Sequence, residues 1–313
     1  MNASTSESLT RAIAGLRAAL GQRLKGKQHA VDLAVSCVLA GGHLLIQDVP
    51  GVGKTTLALA LSQAVGGEFR RVQFTADMLP ADILGFQAPN PTTGDLVFHP
   101  GSLFGNIILA DEVNRASPKT QSALLEAMAE GSVSIDGTPM SLPKPFFVVA
   151  TQNPFDLDGT FPLPDSQLDR FLMRISIGYP SPEVELEVMT LSAAPQPPLE
   201  PVLSTTQVLE LQNRVSSVSA SGVIKQYIID FVHATRRAPG LLRGISPRGT
   251  QWLFRAAQAW ALSHGRSHVI PEDVIAVAPS VIAHRVRWQI PPSHPLDAEN
   301  QLKDILKTVP SPL

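Results

Sequence analysis

Asp48-Val49-Pro50-Gly51-Val52-Gly53-Lys54-Thr55-Thr56 follows a short apolar run, Leu44-Leu45-Ile46, and precedes a helix-forming stretch at 54–65. Strand, glycine-bearing turn and helix in that order decide the fold. The glycines let the backbone curl until its N–H groups face phosphate oxygens, and the helix N-terminus adds the positive end of its dipole. Lys54 can reach the outer phosphates of a nucleoside triphosphate, and the Thr55 hydroxyl can ligate Mg2+. Residues Pro50, Gly51, Val52, Gly53, Lys54, Thr55 and Thr56 are therefore assigned to nucleotide binding. Asp48 stands where the pattern expects its first glycine. Its carboxylate is expected to point away from the phosphates at the strand end, because Gly51 and Gly53 still supply the turn.

Working outward, short apolar runs alternate with helical stretches through the first 180 residues. Phe69 to Phe74, Ile107 to Ala110, Phe146 to Ala150 and Arg174 to Ile177 join Leu44 to Ile46 as strands. Several are apolar throughout, as in a parallel sheet covered by helices on both faces. A helix is expected over 118–130, with Ser117 as its cap and Pro118 at its first position. This alternation indicates an α/β layer fold with ligands at the C-terminal strand ends. Pro180 and Pro182 mark a break, and a Pro-rich connector covers about 193–203. Beyond it, Ile224, Tyr227, Ile228, Phe231 and Val232 follow amphipathic-helix spacing, and Pro271-Glu272-Asp273-Val274 opens a further helix. The expected division is an α/β domain over 1–180, with an N-terminal helix, and a smaller helical domain over 181–313.

Composition limits the function classes. The 313 residues are 44% hydrophobic and 17% charged, enough for a sizeable core, and no run approaches the roughly 18–20 apolar residues of a membrane span. The N-terminus lacks a basic region of signal-peptide type. The single cysteine, Cys37, excludes an internal disulfide and lies in an apolar run that suggests a buried thiol. A net charge of −2 is a poor footprint for a dedicated nucleic-acid binder. A cytoplasmic protein is expected. His264 and His268 are four apart, but Gly265 between them argues against one helix presenting both to a metal.

Ile107-Ile108-Leu109-Ala110-Asp111-Glu112 is an apolar strand ending in two carboxylates. Beside a phosphate-binding loop, Asp111 is expected to hold Mg2+ and Glu112 to orient or deprotonate the attacking water. Asn153, after the strand that ends at Ala150, either forms a turn before Pro154 or hydrogen-bonds the water or the γ-phosphate. The segment 131–137 alternates polar and apolar residues like a hairpin, and 74–105 is Pro- and Gly-rich with little regularity.

Gly-x-Gly-Lys-Thr, Leu-Ala-Asp-Glu-x-Asn-Arg-Ala at 109–116 and Ala-Thr-Gln-Asn-Pro at 150–154 look like an AAA+ ATPase. The run from Asp158 to Phe171, with Ala-Leu-Leu-Glu-Ala-Met at 123–128, closely resembles the MoxR-type ATPases, whose relatives include the ATPase subunits of magnesium chelatase. The resemblance spans Gly26 to about Arg287. It implies a P-loop αβα sandwich followed by a helical lid, hydrolysis of ATP with Mg2+, and a homo-oligomeric ring, hexameric by family habit. It makes Asn153 the sensor-1 residue and Arg170 the arginine finger that reaches a neighbouring subunit's γ-phosphate, with Arg174 as the alternative. Arg248 matches sensor 2. Ser246 and Pro247 place it in a helix's first turn, where a cation opposes the helix dipole unless it faces an anion. The family further implies chaperone-like remodelling of separate partner proteins, often ones carrying a von Willebrand factor A domain. The helix-2 insertion within 74–105 and the hairpin at 131–137 are candidate client contacts or plain surface loops. An ATP-binding switch with little turnover and a nucleic-acid-stimulated motor are the rival readings.

Overall fold

A computed structural model describes residues 3–153, 159–191, 197–292 and 295–312. Pro154 and Asp158 of the stretches quoted above, and 193–196 of the connector, lie outside them. Two helices, α1 (Ala3–Arg23) and α2 (Gln28–Leu39), precede β1 (Leu44–Gln47), α3 (Lys54–Ala64) and β2 (Phe69–Gln73). A short α4 (Pro80–Leu84) leads into the hairpin β3 (Gly85–Pro89) and β4 (Leu96–Pro100). Then come β5 (Ile107–Asp111), α5 (Pro118–Glu130), the hairpin β6 (Ser132–Ile135) and β7 (Thr138–Ser141), β8 (Phe147–Gln152), α6 (Asp165–Leu168) and β9 (Met173–Ile175). The helical region follows: α7 (Pro182–Leu191), α8 (Thr205–Val215), α9 (Gly222–Arg237), β10 (Leu241–Arg243), α10 (Pro247–Ser263), α11 (Pro271–Ile282), β11 (Arg287–Trp288) and α12 (Pro295–Lys307).

Five strands form one parallel sheet in the order β2-β5-β8-β1-β9. The chain leaves β1 through α3, crosses to the far edge at β2, and steps back through β5 and β8. That reversal at β1 opens a crevice beyond the strand ends, where open α/β sheets bind ligands. Strand side chains alternate between two cores. Leu44, Ile46, Ile107, Leu109, Phe147 and Val149 pack with α1–α3 and the helical region. Leu45, Ile108, Ala110, Val148 and Ala150 pack with α5 and β6. Burial on both faces explains why these strands read as continuous apolar runs.

The ends of the elements follow local chemistry. Ser117 Oγ accepts from the Thr120 amide at 3.4 Å and Pro118 opens α5, while Gly131 closes it at φ 63°. Asp136 and Gly137, at φ 49° and 80°, turn β6 into β7. The irregular stretch 74–105 resolves into α4 and the β3–β4 hairpin, which leaves Phe86, Leu96 and Val97 exposed. The later helical region is tied to the N-terminal helices by Arg17, whose Nε and Nη2 reach both Asp32 oxygens at 2.7 and 2.8 Å while Nη1 donates to the Ser263 carbonyl. His264 ends α10 and stacks on Trp260, with Gly265 at φ 76° behind it. Among the described residues no helix is long and apolar enough to cross a membrane.

Candidate functional site

At the C-terminal ends of β1, β2, β5 and β8, a cavity of about 390 Å3 is lined by Pro50, Gly51, Gly53, Lys54, Thr55, Thr56, Arg71, Gln73, Asp111, Glu112 and Asn153. Gly51 and Gly53 have φ of 82° and 99°, a region that side chains other than glycine's rarely adopt. A Cβ on either would meet nothing within 4 Å, so the loop encloses open space rather than packed atoms. The loop ends directly on α3, whose first residue is Lys54, so helix dipole and lysine converge on that space. Val52 is the exception among the loop residues: it does not line the cavity, and its side chain packs against the core.

Lys54 Nζ donates to the Asp48 carbonyl at 2.6 Å. Burial pulls the pKa of its ammonium below the usual lysine range, and Asp48, Asp111 and Glu112 oppose that pull. The Asp48 side chain turns away from the cavity. Its Oδ2 accepts from Ser176 Oγ and from the amides of Ile177 and Gly178 at 2.7–2.9 Å, and Oδ1 accepts from the Val49 amide. The acid at the missing-glycine position thus binds the end of β1 to the chain leaving β9, clear of any phosphate.

The two carboxylates are set by residues that sequence spacing alone does not mark. Thr151, fully buried on β8, donates to Asp111 Oδ1 at 2.6 Å and accepts from the Glu112 amide at 2.9 Å. Glu112 adopts φ 57°, ψ 50°, a left-handed conformation that costs a residue with a Cβ about 1–2 kcal/mol and swings its side chain out of the strand's alternation. Its Oε2 accepts from Gln73 Nε2 at 2.9 Å and pairs with Arg115 Nε at 2.9 Å. Arg71 Nη2 pairs with Asp111 Oδ2 at 2.8 Å. Arg71 and Gln73 alternate with buried Val72 on β2, and Gln73 lies in register with Asp111. The signal that could have found them is period-2 alternation at the end of a strand, which acquires meaning only once β2 is known to neighbour β5.

The donor set fits a triphosphate and a hard cation: backbone amides, one ammonium, a threonine hydroxyl and an aspartate beside open space. Lys54, Thr55, Asp111, Glu112 and Asn153 come together as expected. Arg170, Arg174 and Arg248 do not line this cavity. Arg170 Nη1 donates to the Leu125 carbonyl of α5 at 2.6 Å. Arg248, in the first turn of α10 behind the Ser246 cap, faces Asp169 at 3.9 Å. Arg174 belongs to β9, and its Nε and Nη2 are buried with no hydrogen-bond partner among the described residues. Burial brings its pKa down to about 10, with Glu299 opposing. Burial likewise pushes the Cys37 thiol up, which removes it as a nucleophile.

Known proteins resemble the chain along nearly its whole length. The sequence profile of the "ATPase family associated with various cellular activities (AAA)" matches residues 43–173, and that of the AAA lid domain matches residues 233–305. YeaC of Bacillus subtilis is 46% identical over 296 residues, covering 92% of this chain and 91% of that protein. Chaperone MoxR1 of Mycobacterium tuberculosis is 40% identical over 270 residues, covering 83% and 72%. A crystal structure from Cytophaga hutchinsonii, of a chain described as an ATPase, superposes with a TM-score of 0.88 at 35% identity, covering 99% of this chain and 98% of that one.

Proposed function

Because the chain belongs to the MoxR-type AAA ATPases and hydrolyses ATP, we propose that it assembles into a homo-oligomeric ring, hexameric by family habit, that spends hydrolysis on remodelling partner proteins. The observation that carries this reading is the division of the ionic groups. Lys54, Thr55, Asp111, Glu112 and Asn153 share one cavity, whereas Arg170, held by the Leu125 carbonyl, and Arg248, facing Asp169, lie outside it. In this reading Arg170, which does not line its own subunit's cavity, completes the site of a second subunit.

Pro50 to Thr56 cradle the phosphates, with Val52 contributing backbone only. Thr55 and Asp111 would hold Mg2+, which when bound neutralises phosphate charge. Glu112 takes a proton from the attacking water, and Asn153 orients that water or the γ-phosphate. For Glu112 to act, its Oε2 must leave Gln73 and Arg115. Arg170 leaves the Leu125 carbonyl to serve the neighbour's γ-phosphate, and Arg248 acts as the sensor-2 residue of the lid. The domain division near residue 180 is part of this reading, with α7–α12 as the lid. MoxR1 carries the name chaperone, and 40% identity supports the same kind of work here. The family resemblance points to partners with a von Willebrand factor A domain, and the exposed Phe86, Leu96 and Val97 of the β3–β4 hairpin offer an apolar contact for them.

The hold of Gln73 and Arg115 on Glu112 is also what a slow, ATP-bound switch would display. Phosphate release followed across a wide protein dilution series separates the two. The ring reading expects activity per subunit to rise with concentration and to vanish in Glu112→Gln and Arg170→Ala. Absence of Glu112-dependent turnover at every concentration would favour the switch. A pull-down with ATP-loaded Glu112→Gln that recovers no von Willebrand factor A protein would remove that partner class.

A further inference from the structure

The lid residue Arg285, one helical turn beyond the core of α11, is almost fully enclosed and does not line the ATP cavity. Most of its guanidinium contacts go to one short stretch of chain. Nε pairs with Asp169 Oδ1 at 2.8 Å, Nη2 donates to the carbonyls of Asp169 and Phe171 at 3.1 and 2.5 Å, and Nη1 donates to the Leu172 carbonyl at 3.1 Å. Nη1 also donates to the Val281 carbonyl of its own helix. The neighbouring His284 places Nε2 3.0 Å from the same Phe171 carbonyl.

The stretch held in this way is 169–172, the turn between α6 and β9, and Arg170 is its second residue. On the sheet side the amides of Leu172 and Met173 donate to the His43 carbonyl at 2.8 and 3.4 Å. The backbone beneath Arg170 is therefore clamped between the lid and the start of β1. Asp169 is shared: Oδ1 belongs to Arg285 and Oδ2 faces Arg248. Arg285 keeps its charge at neutral pH, since burial lowers its pKa only to about 10, with Asp169 opposing. A planar guanidinium that satisfies several carbonyls and a carboxylate at once fixes a turn in a way that an ammonium cannot.

We propose that Arg285 is a positioning residue for Arg170, so that the attitude of a subunit's own lid governs the cation it offers to its neighbour's ATP. The proposal rests on the reading of Arg170 as a finger acting between subunits. A lid displaced relative to the sheet carries α11 with it, and the turn bearing Arg170 follows or its carbonyls lose the Arg285 donors. ATP in one cavity is thereby coupled to catalysis in the next through Arg285 and Asp169, with no need for Arg285 to touch nucleotide.

Co-assembled mixtures test this directly. Glu112→Gln subunits lack the base but keep Arg170, and Arg170→Ala subunits keep the base, so mixing the two inactive chains should restore hydrolysis. Arg285→Lys is then placed in one partner at a time. In the Glu112→Gln partner, which donates the finger, it should cut the restored rate at least tenfold, as a fall in kcat with KM for ATP unchanged. In the Arg170→Ala partner it should leave the restored rate within twofold. Equal loss in both arrangements, or no loss in either, overturns the proposal. If Arg285→Lys does not assemble, Asp169→Asn, which keeps the carbonyl contacts, must give the same asymmetry or the proposal falls. If the parent mixture shows no restored hydrolysis, the finger reading of Arg170 has failed, a result separate from either outcome for Arg285.

Discussion

Thr151 accepts from the Glu112 amide and donates to Asp111, so one hydroxyl fixes the two carboxylates relative to each other. Thr151→Val keeps the shape but leaves the part-buried Glu112 amide without its acceptor, which costs about 1 kcal/mol. We expect a fall in kcat of at least tenfold, with ATP affinity by titration changed far less. Equal kcat would show that the Glu112 backbone conformation is held by other contacts. Asp48 behaves differently, because three of its donors, from Ser176, Ile177 and Gly178, tie the end of β1 to the segment after β9. Asp48→Ala should cost about 3 kcal/mol in urea unfolding, on the scale of hydrogen bonds to a charged group. A loss of only a few tenths would mean that the donors find other acceptors. The sequence marked Asp48 as the odd residue of its loop and expected it to turn away. Its partners at 176–178 are about 130 positions distant, and no spacing rule reaches that far.

Among the elements, α5 was legible over 118–130, with the Ser117 cap and Pro118 at its start. The same capping chemistry opens α10, where Ser246 Oγ accepts from the Gly249 amide at 3.1 Å. Ser117→Ala and Ser246→Ala should each lower stability by about 1 kcal/mol, seen as a lower urea midpoint at unchanged slope. A change in slope would point instead to loss of two-state unfolding. The β3–β4 hairpin was not legible, because Gly85-Phe86-Gln87-Ala88-Pro89 and Leu96 to Pro100 lack an apolar face that alternates with a polar one. The hairpin stands off the sheet and exposes Phe86 and Leu96, so burial imposed no pattern on it. Strand ends were harder to read than strand existence. β8 runs on through Thr151 and Gln152, since its polar end pairs beside β1 and supplies the site.

At the scale of the molecule, His43 joins the start of β1 to the neighbouring strand β8 and to α5 in the flanking layer. Its Nε2 lies 3.0 Å from the Met128 carbonyl of α5, and its Nδ1 accepts from the Val148 amide of β8, so the ring is neutral. Burial lowers its pKa to about 4, and burial also drives His284 well below the ordinary histidine value. Below pH 6.5 the unfolded chain therefore binds protons that the folded chain refuses, and stability falls as pH drops from 6.5 towards 4. His43 alone accounts for roughly 3 kcal/mol by the low end of that window. Urea unfolding between pH 7 and 4.5 should show this decline, with a net uptake of one to two protons on unfolding at pH 5. A flat profile would mean that both rings are protonated in the fold.

The phosphate loop, the paired carboxylates, the alternation of strands and helices and the later helical region are each written in consecutive residues, because loop curvature, capping and helical or strand periodicity are local properties. Membership of the MoxR-type AAA ATPases was legible for the same reason. Only the tertiary structure decided that β2 lies beside β5, which brings Arg71 to Asp111 and Gln73 to Glu112. It also decided that Glu112 takes a left-handed backbone anchored on Thr151, and that Arg285 grips a turn 116 positions away. These pairings depend on which surfaces meet once both faces of the sheet are covered, and residue spacing along a chain carries no record of that.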